Sequence, residues 1–338
     1  MTKKEPKEAA TSAESPTSND HLLRVMFNGG SARAHLVQID KSWLEVAHRH
    51  AESPEVMALL GEMSCASILL SASLKYEGSV ILQIHGDGPV RLAISECNSA
   101  LGFRSTIKMS DTITVTPGAD WKSLVNQNNL GRFSVVLDPK VDNQHPYQGI
   151  VTLHETGFAQ AIESYMTRSE QLPTRLWLIC DGDRAAGLML QQMPTEGGAQ
   201  DQMKKDTAAQ STTAPGEDAA DTPDDEWERL VALAETVTPD ELLHTDAQTL
   251  LHRLFWQESP KLLDDKPVQF SCSCSRTRVG KMLQTLGEEE VESILAEQGY
   301  VEVNCDFCNT AYSFDPVDCA ELFTRDHPPA GQGSSTLH

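Results

Sequence analysis

The sequence predicts an α+β protein: a largely antiparallel sheet domain with helices, a helical linker region, and a small zinc-binding domain at the C-terminal end. Three observations predict it. Hairpin signals outnumber strand–helix–strand alternation over the first 190 or so residues, which favours an antiparallel sheet. A 32-residue stretch, 195–226, then contains no Leu, Ile, Val or aromatic residue. Beyond it, four cysteines fall into two close pairs, Cys272/Cys274 and Cys305/Cys308.

Taken in order, residues 1–20 are rich in Ser, Thr, Glu and Ala and lack an apolar run, so they read as a disordered arm and not as a signal peptide. Residues 21–194 form the core domain. Leu22 to Phe27, the turn at Asn28-Gly29-Gly30 and the apolar run through Leu36 predict a hairpin. Lys41 to Ala51 reads as a solvated helix, with His48 and His50 two apart and therefore not sharing a face. Ser53-Pro54 opens a longer apolar helix through Leu69. Ser79–His85 and Val90–Glu96 flank the Gly86-Asp87-Gly88 turn. Further strands are expected at Ile113–Val115, Phe133–Leu137, Gly149–His154, Thr174–Ile179 and Ala186–Gln191, with a helix over Gly157–Glu170.

Segment 195–226 carries nine carboxylates and two lysines and reads as a flexible acidic insert, unable to bury enough surface to offset its ordering entropy. Residues 227–264 become periodic again. Trp227, Leu230, Leu250, Leu254 and Phe255 make an apolar stripe that reads as a face docked on the core domain. Residues 265–325 hold the cysteine pairs, and 326–338 a flexible tail.

Two tight pairs separated by a small folding unit are how a chain builds a four-thiolate tetrahedron, so Cys272, Cys274, Cys305 and Cys308 are the expected ligands of one Zn²⁺. An iron–sulfur cluster is the other tenant that four thiolates suit. Thiolates this close in sequence can also oxidise to disulfides, and a metal that holds a fold together takes folding free energy with it when it goes. The site is therefore capable of acting as a reversible switch. Cys65, Cys97 and Cys180 read as buried apolar residues, and Cys319 as a packed helix residue.

Charge and motifs narrow the function. Acidic residues outnumber basic ones 49 to 27, a formal charge of −22, which disfavours nucleic acid and anionic membranes. No run of 18 apolar residues suggests a membrane span. No phosphate loop, nucleophile elbow or metalloprotease motif is present, so no enzyme is expected. Reduced cysteines and the missing apolar leader suggest the cytosol.

Several motifs resemble those of the bacterial redox-regulated heat-shock holdases, the 33 kDa chaperonins. They are Leu59-Leu-Gly-Glu-Met63, Leu74-Lys-Tyr-Glu-Gly-Ser79, Gly86-Asp-Gly-Pro89, Arg168-Ser-Glu-Gln-Leu-Pro-Thr174, Cys272-Ser-Cys-Ser-Arg276, Ser293-Ile-Leu-Ala-Glu297 and Cys305-Asp-Phe-Cys308. The resemblance spans about His21 to Phe323. It implies an ATP-independent chaperone for unfolding proteins, zinc-bound and inactive when reduced. It also implies disulfides Cys272–Cys274 and Cys305–Cys308 in a zinc-free, active, dimeric oxidised form. The Trp227–Phe255 stripe would then be client-binding surface. A zinc-ribbon interaction module and a thiol oxidoreductase are the competing classes. The long acidic insert, the N-terminal arm and Cys319 depart from the family pattern.

Overall fold

The computed structural model describes residues 19–27, 30–74, 77–140, 145–153, 156–194 and 223–324. The arm up to residue 18, the insert from 195 to 222 and the tail from 325 lie outside these. The core runs β1 (His21–Met26), β2 (Ala32–Ile39), α1 (Lys41–Ala47), α2 (Pro54–Ser73), β3 (Gly78–His85), β4 (Val90–Asn98) and β5 (Gly102–Met109). It continues through α3 (Trp121–Val125), β6 (Arg132–Pro139), β7 (Tyr147–Thr152), α4 (Phe158–Ser169), β8 (Thr174–Cys180) and β9 (Ala185–Gln192). The linker region contributes α5 (Pro223–Ala234), α6 (Pro239–His244) and α7 (Ala247–Phe255). A strand, β10 (Lys261–Pro267), and a two-residue strand, β11 (Gln269–Phe270), follow. The cysteine region holds α8 (Arg276–Leu286), α9 (Glu288–Gln298), β12 (Val301–Asn304), β13 (Ala311–Phe314) and α10 (Pro316–Thr324).

Two sheets face each other across α2. One has the order β10-β1-β2-β9-β8, and the other β11-β5-β4-β3-β6-β7. All pairings are antiparallel except β11 with β5. Helix α2 is buried along most of its surface, with Glu55, Ala58 and Glu62 forming a partly exposed stripe. By length and composition alone it would pass for a membrane span, but 83% of its most apolar window is buried inside the protein. It lies close to the first sheet, where a Cβ at Gly61 would fall 2.5 Å from Cys180 Cβ. Towards the second sheet it offers hydroxyls. Ser64 meets Ser105 at 2.7 Å and Ser67 meets Ser95 at 2.8 Å, so these buried groups satisfy one another.

The first sheet is covered on both faces, which explains its nearly unbroken apolar strands. Residues alternate across a strand. Leu22, Val37, Ile39 and Met189 point towards α2. Leu23, Val25, Phe27, Ala34, Leu36, Leu188 and Leu190 point the other way, onto the linker helices. The expected stripe sits there. Leu230, Leu250, Leu254 and Phe255 are buried and Trp227 is partly buried against the same cluster. Phe255 packs edge-on against Phe27, with ring centroids 5.1 Å apart. Gln38 Nε2 donates to the carbonyls of Leu242 and Thr245, both at 2.8 Å, and so fixes the end of α6.

Several expectations need correction. Ile113–Val115 is not a strand. Ser110 Oγ accepts from the backbone N–H groups of Thr112 and Ile113, a local alternative to a ladder, and the strand here is β5 instead. The end of the linker region, from Lys261, is a strand and not helix. Its residues are mostly exposed and carry no alternation, so only pairing with β1 makes it a strand. Helix α5 begins at Pro223, inside the stretch assigned to the insert. Asp20, assigned to the arm, belongs to the fold: its carboxylate accepts from the Asp40 and Ser42 backbone N–H groups. Helix α1 stops at Ala47, so His48 caps its end and His50 lies beyond it.

His35, between β2 and α2, gives a testable pH dependence. Burial first, then the nearby Arg33 and Arg24, lower its imidazole from 6.5 to about 3. The unfolded chain takes up that proton near pH 6.5. The contribution of the neutral ring is therefore complete above that pH and is lost as pH falls towards 3. The stability difference between the wild type and His35→Gln should shrink by about 1.4 kcal/mol per pH unit below 6.5. Urea melts of both proteins at pH 7 and pH 4 check this; a pH-independent difference contradicts it.

Candidate metal and redox centre

Each cysteine pair is presented by a different local device. Cys272 and Cys274 lie on the segment between β11 and α8, where positions two apart share a face. Ser275 caps α8 by accepting from Arg278 N–H, and the Arg278 guanidinium donates back to the Ser273 carbonyl at 3.0 Å. Cys305 and Cys308 lie on the turn between β12 and β13. This turn closes through Asn309 N–H to Cys305 O at 2.8 Å, with Asn309 in the left-handed region at φ 56°. Asn tolerates that region better than most residues.

The two devices converge. Cys272 Sγ lies 3.7 Å from Cys305 Sγ, Cys274 Sγ lies 3.3 Å from Cys308 Sγ, and all four sulfurs lie within 4.8 Å of one another. Four thiolates about 2.3 Å from one ion in a tetrahedron stand about 3.8 Å apart, so the spacing fits a single tetrahedral ion. Among the described residues this is the one place where three or more metal-type side chains bring their ligand atoms together. The surroundings suit thiolates. Tyr312 OH donates to Cys274 Sγ at 3.1 Å, the Thr310 hydroxyl lies 3.1 Å from Cys308 Sγ, and Arg104 Nη1 lies 3.7 Å from Cys272 Sγ. The backbone N–H groups of Phe307 and Cys308 point at Cys305. Such outer donors orient metal ligands and stabilise their charge.

Crowded thiols cannot all ionise without a compensating cation. Burial pushes Cys274 up to about 12 and raises Cys305. Cys308 goes the other way. Burial opposes its ionisation, but donors from the Thr310 side chain and backbone, with Cys274 and Cys272, outweigh burial and bring it to about 6.

The other four cysteines stand apart. Cys65, Cys97 and Cys180 are buried in the core, and burial raises Cys97 and Cys180 to about 12. Cys319 is buried in the small cluster of the cysteine module beside Leu322 and Phe323, outside the four-sulfur group. Sequence reasoning missed Tyr312, Thr310 and Arg104. Tyr312 is 38 positions from Cys274 and Arg104 168 positions from Cys272, while Thr310, two positions after Cys308, offers a lone hydroxyl that carries no ligand signal.

Fold and site together define the class: a two-sheet α+β core with an apolar helical layer on one sheet and a four-thiol module at the edge of the other. Comparison with known proteins gives that class a family. The sequence model described as "Hsp33 protein" matches residues 20–315. A 33 kDa chaperonin of Methylobacillus flagellatus is 42% identical over 91% of this chain and 96% of its own length. One from Chromobacterium violaceum is 39% identical over 91% and 95%. The crystal structure of the 33 kDa chaperonin from Thermotoga maritima superposes with a TM-score of 0.69 at 21% identity, covering 91% of this chain and all of that one, a likeness of fold. The chain belongs to the Hsp33 family of chaperones.

Proposed function

We propose that this chain is a redox-regulated, ATP-independent holdase that binds unfolding proteins under oxidative stress. The observation that carries the proposal is connectivity. The apolar linker helices docked on the first sheet lead through β10 and β11 directly into Cys272. A change at the cysteines thus acts on the strap that holds the apolar layer in place.

In the reduced form, Cys272, Cys274, Cys305 and Cys308 would hold one Zn²⁺, which supplies a divalent charge and a tetrahedral tie between the two pairs. The module needs such a tie. Its buried core is only Val279, Leu283, Val291, Val301, Phe314 and Cys319. Peroxide takes two electrons from each pair: two thiols become a disulfide, and the peroxide oxygens leave as two waters. The sulfur spacing does not choose a pairing, and the family resemblance supports Cys272–Cys274 and Cys305–Cys308. Disulfide sulfurs no longer bind the metal, so the module loses its tie and the linker its anchor. The released stripe of Trp227, Leu230, Leu250, Leu254 and Phe255, with the bared sheet face, would then form the client surface. Dimerisation of the oxidised form, a cytosolic setting and the absence of enzymatic turnover belong to the same reading.

The test follows zinc, free thiols, hydrophobic-dye binding and light scattering from a denatured client together, before and after peroxide at a mildly unfolding temperature. The reduced protein should hold about one zinc per chain and protect weakly. The oxidised protein should lose zinc and four thiols, bind dye and suppress aggregation without ATP, and reductant plus zinc should reverse this. Oxidised, zinc-free protein that protects no better than the reduced form would remove the proposal and favour an interaction module. Bound iron would overturn the metal assignment.

A further inference from the structure

Strand β5 carries a second feature aimed at the cysteine site. Its odd-numbered residues Phe103, Ser105 and Ile107 are buried in the core. Its even-numbered residues share the opposite face, and three in succession reach the turn between Cys305 and Cys308. The Arg104 guanidinium lies over the Phe307 ring at 4.2 Å. Thr106 Oγ1 donates to the Asp306 carbonyl at 2.9 Å. Lys108 Nζ lies 2.8 Å from Asp306 Oδ2. The two residues enclosed by the C-x-x-C pair therefore form a plug seated on the core.

These contacts are not equal. Lys108 and Asp306 are half exposed, so their ion pair contributes little. Arg104 is mostly buried, with 16% of its side chain exposed. Glu96, directly across the ladder on β4, accepts from Nε at 2.9 Å and Nη2 at 2.6 Å and fixes the guanidinium plane. That leaves Nη1 directed at Cys272 Sγ, 3.7 Å away. Arg104 thus touches both halves of the four-sulfur site at once, Cys272 directly and the Cys305–Cys308 turn through Phe307. Beside it, the Ser271 N–H donates to Phe103 O at 2.8 Å, and β11 pairs with β5.

We propose that Arg104 is a positioning residue that transmits the oxidation state of the cysteines to the core, with the β5 face as its latch. The inference rests on the redox reading above. A thiolate site is anionic and draws the guanidinium; two disulfides are neutral and do not, so oxidation weakens the latch at the point where β11 leaves the core. Arg104 also shields Cys272 and holds it in place, which slows attack on the reduced site.

The test compares reduced wild type, Arg104→Gln, Arg104→Lys and Glu96→Gln in the full chain. It reads the rate of zinc transfer to a metallochromic chelator and amide exchange across 261–271. Arg104→Gln should keep about one zinc per chain but release it about 10- to 100-fold faster, as removal of an outer-shell partner does. Amide exchange in β10 and β11 should rise. Glu96→Gln, which frees the guanidinium without touching a cysteine, should shift both readouts the same way by less. Arg104→Lys keeps the charge and should recover part of the release rate. Wild-type zinc-release rates and amide exchange in Arg104→Gln would overturn the latch. So would equal losses in Arg104→Gln and Arg104→Lys, which would mark a packing role alone. Either result leaves the wild-type oxidation experiment standing, and failure of that experiment alone would remove the chaperone reading while leaving the contact intact.

Discussion

Cys305→Ser should leave the reduced protein with little bound metal and an unfolded cysteine module. One sulfur of four is removed, and it is the one that receives two backbone N–H groups, so the turn that presents Cys308 loses its organising atom. A structural zinc contributes on the order of 10 kcal/mol of apparent binding free energy. A module whose buried core is six side chains has no comparable reserve. The β12–β13 ladder should then exchange its amides rapidly. With the plug on β5 gone, the linker should undock in part, and client protection should appear without oxidant. Cys319→Ser, outside the four-sulfur group, should retain the metal. Elemental analysis and amide exchange check both variants, and stoichiometric metal in Cys305→Ser would rule out the ligand assignment.

The second large effect is expected at the opposite end of the strap. Phe255 is fully buried and packs edge-on against Phe27. Its replacement by alanine removes that contact and leaves a cavity in the layer over the first sheet, at a cost of about 3–5 kcal/mol. The linker helices are a thin layer, and segments with few buried contacts open first. Reduced Phe255→Ala should keep its metal yet bind dye and be cut first within 223–258 by protease. This separates docking from metal binding, because the cysteines are untouched. Unchanged proteolysis and dye binding would show that the stripe does not hold the layer down.

Residue chemistry made the cysteine centre readable from sequence, because two tight thiol pairs have few other uses. The stripe was readable because helical periodicity survives without knowledge of the partner. Strand β10 was not, since Leu262 and Leu263 are about half exposed and the backbone of β1 supplies its order. Strand β5 was hidden because the polar Ser105 interrupts its inward apolar positions Phe103 and Ile107, opposite the outward Arg104, Thr106 and Lys108. Of the outer groups around the sulfurs, Tyr312 and Arg104 become neighbours only after folding, and Thr310, two positions from Cys308, offers only a hydroxyl of the kind many turns carry.

The exposed strand β10 is the edge of its sheet, tied to β1 by main-chain ladder bonds and by the paired Arg24 and Asp264. If the strap leaves, a row of backbone donors and acceptors along β1 loses its partners. Unpaired strand edges recruit other extended chains through groups that every polypeptide possesses. A protein built this way would hide a sequence-blind adhesive beneath a removable strip. Its discrimination would then lie in the timing of exposure, since backbone pairing cannot tell one unfolding chain from another.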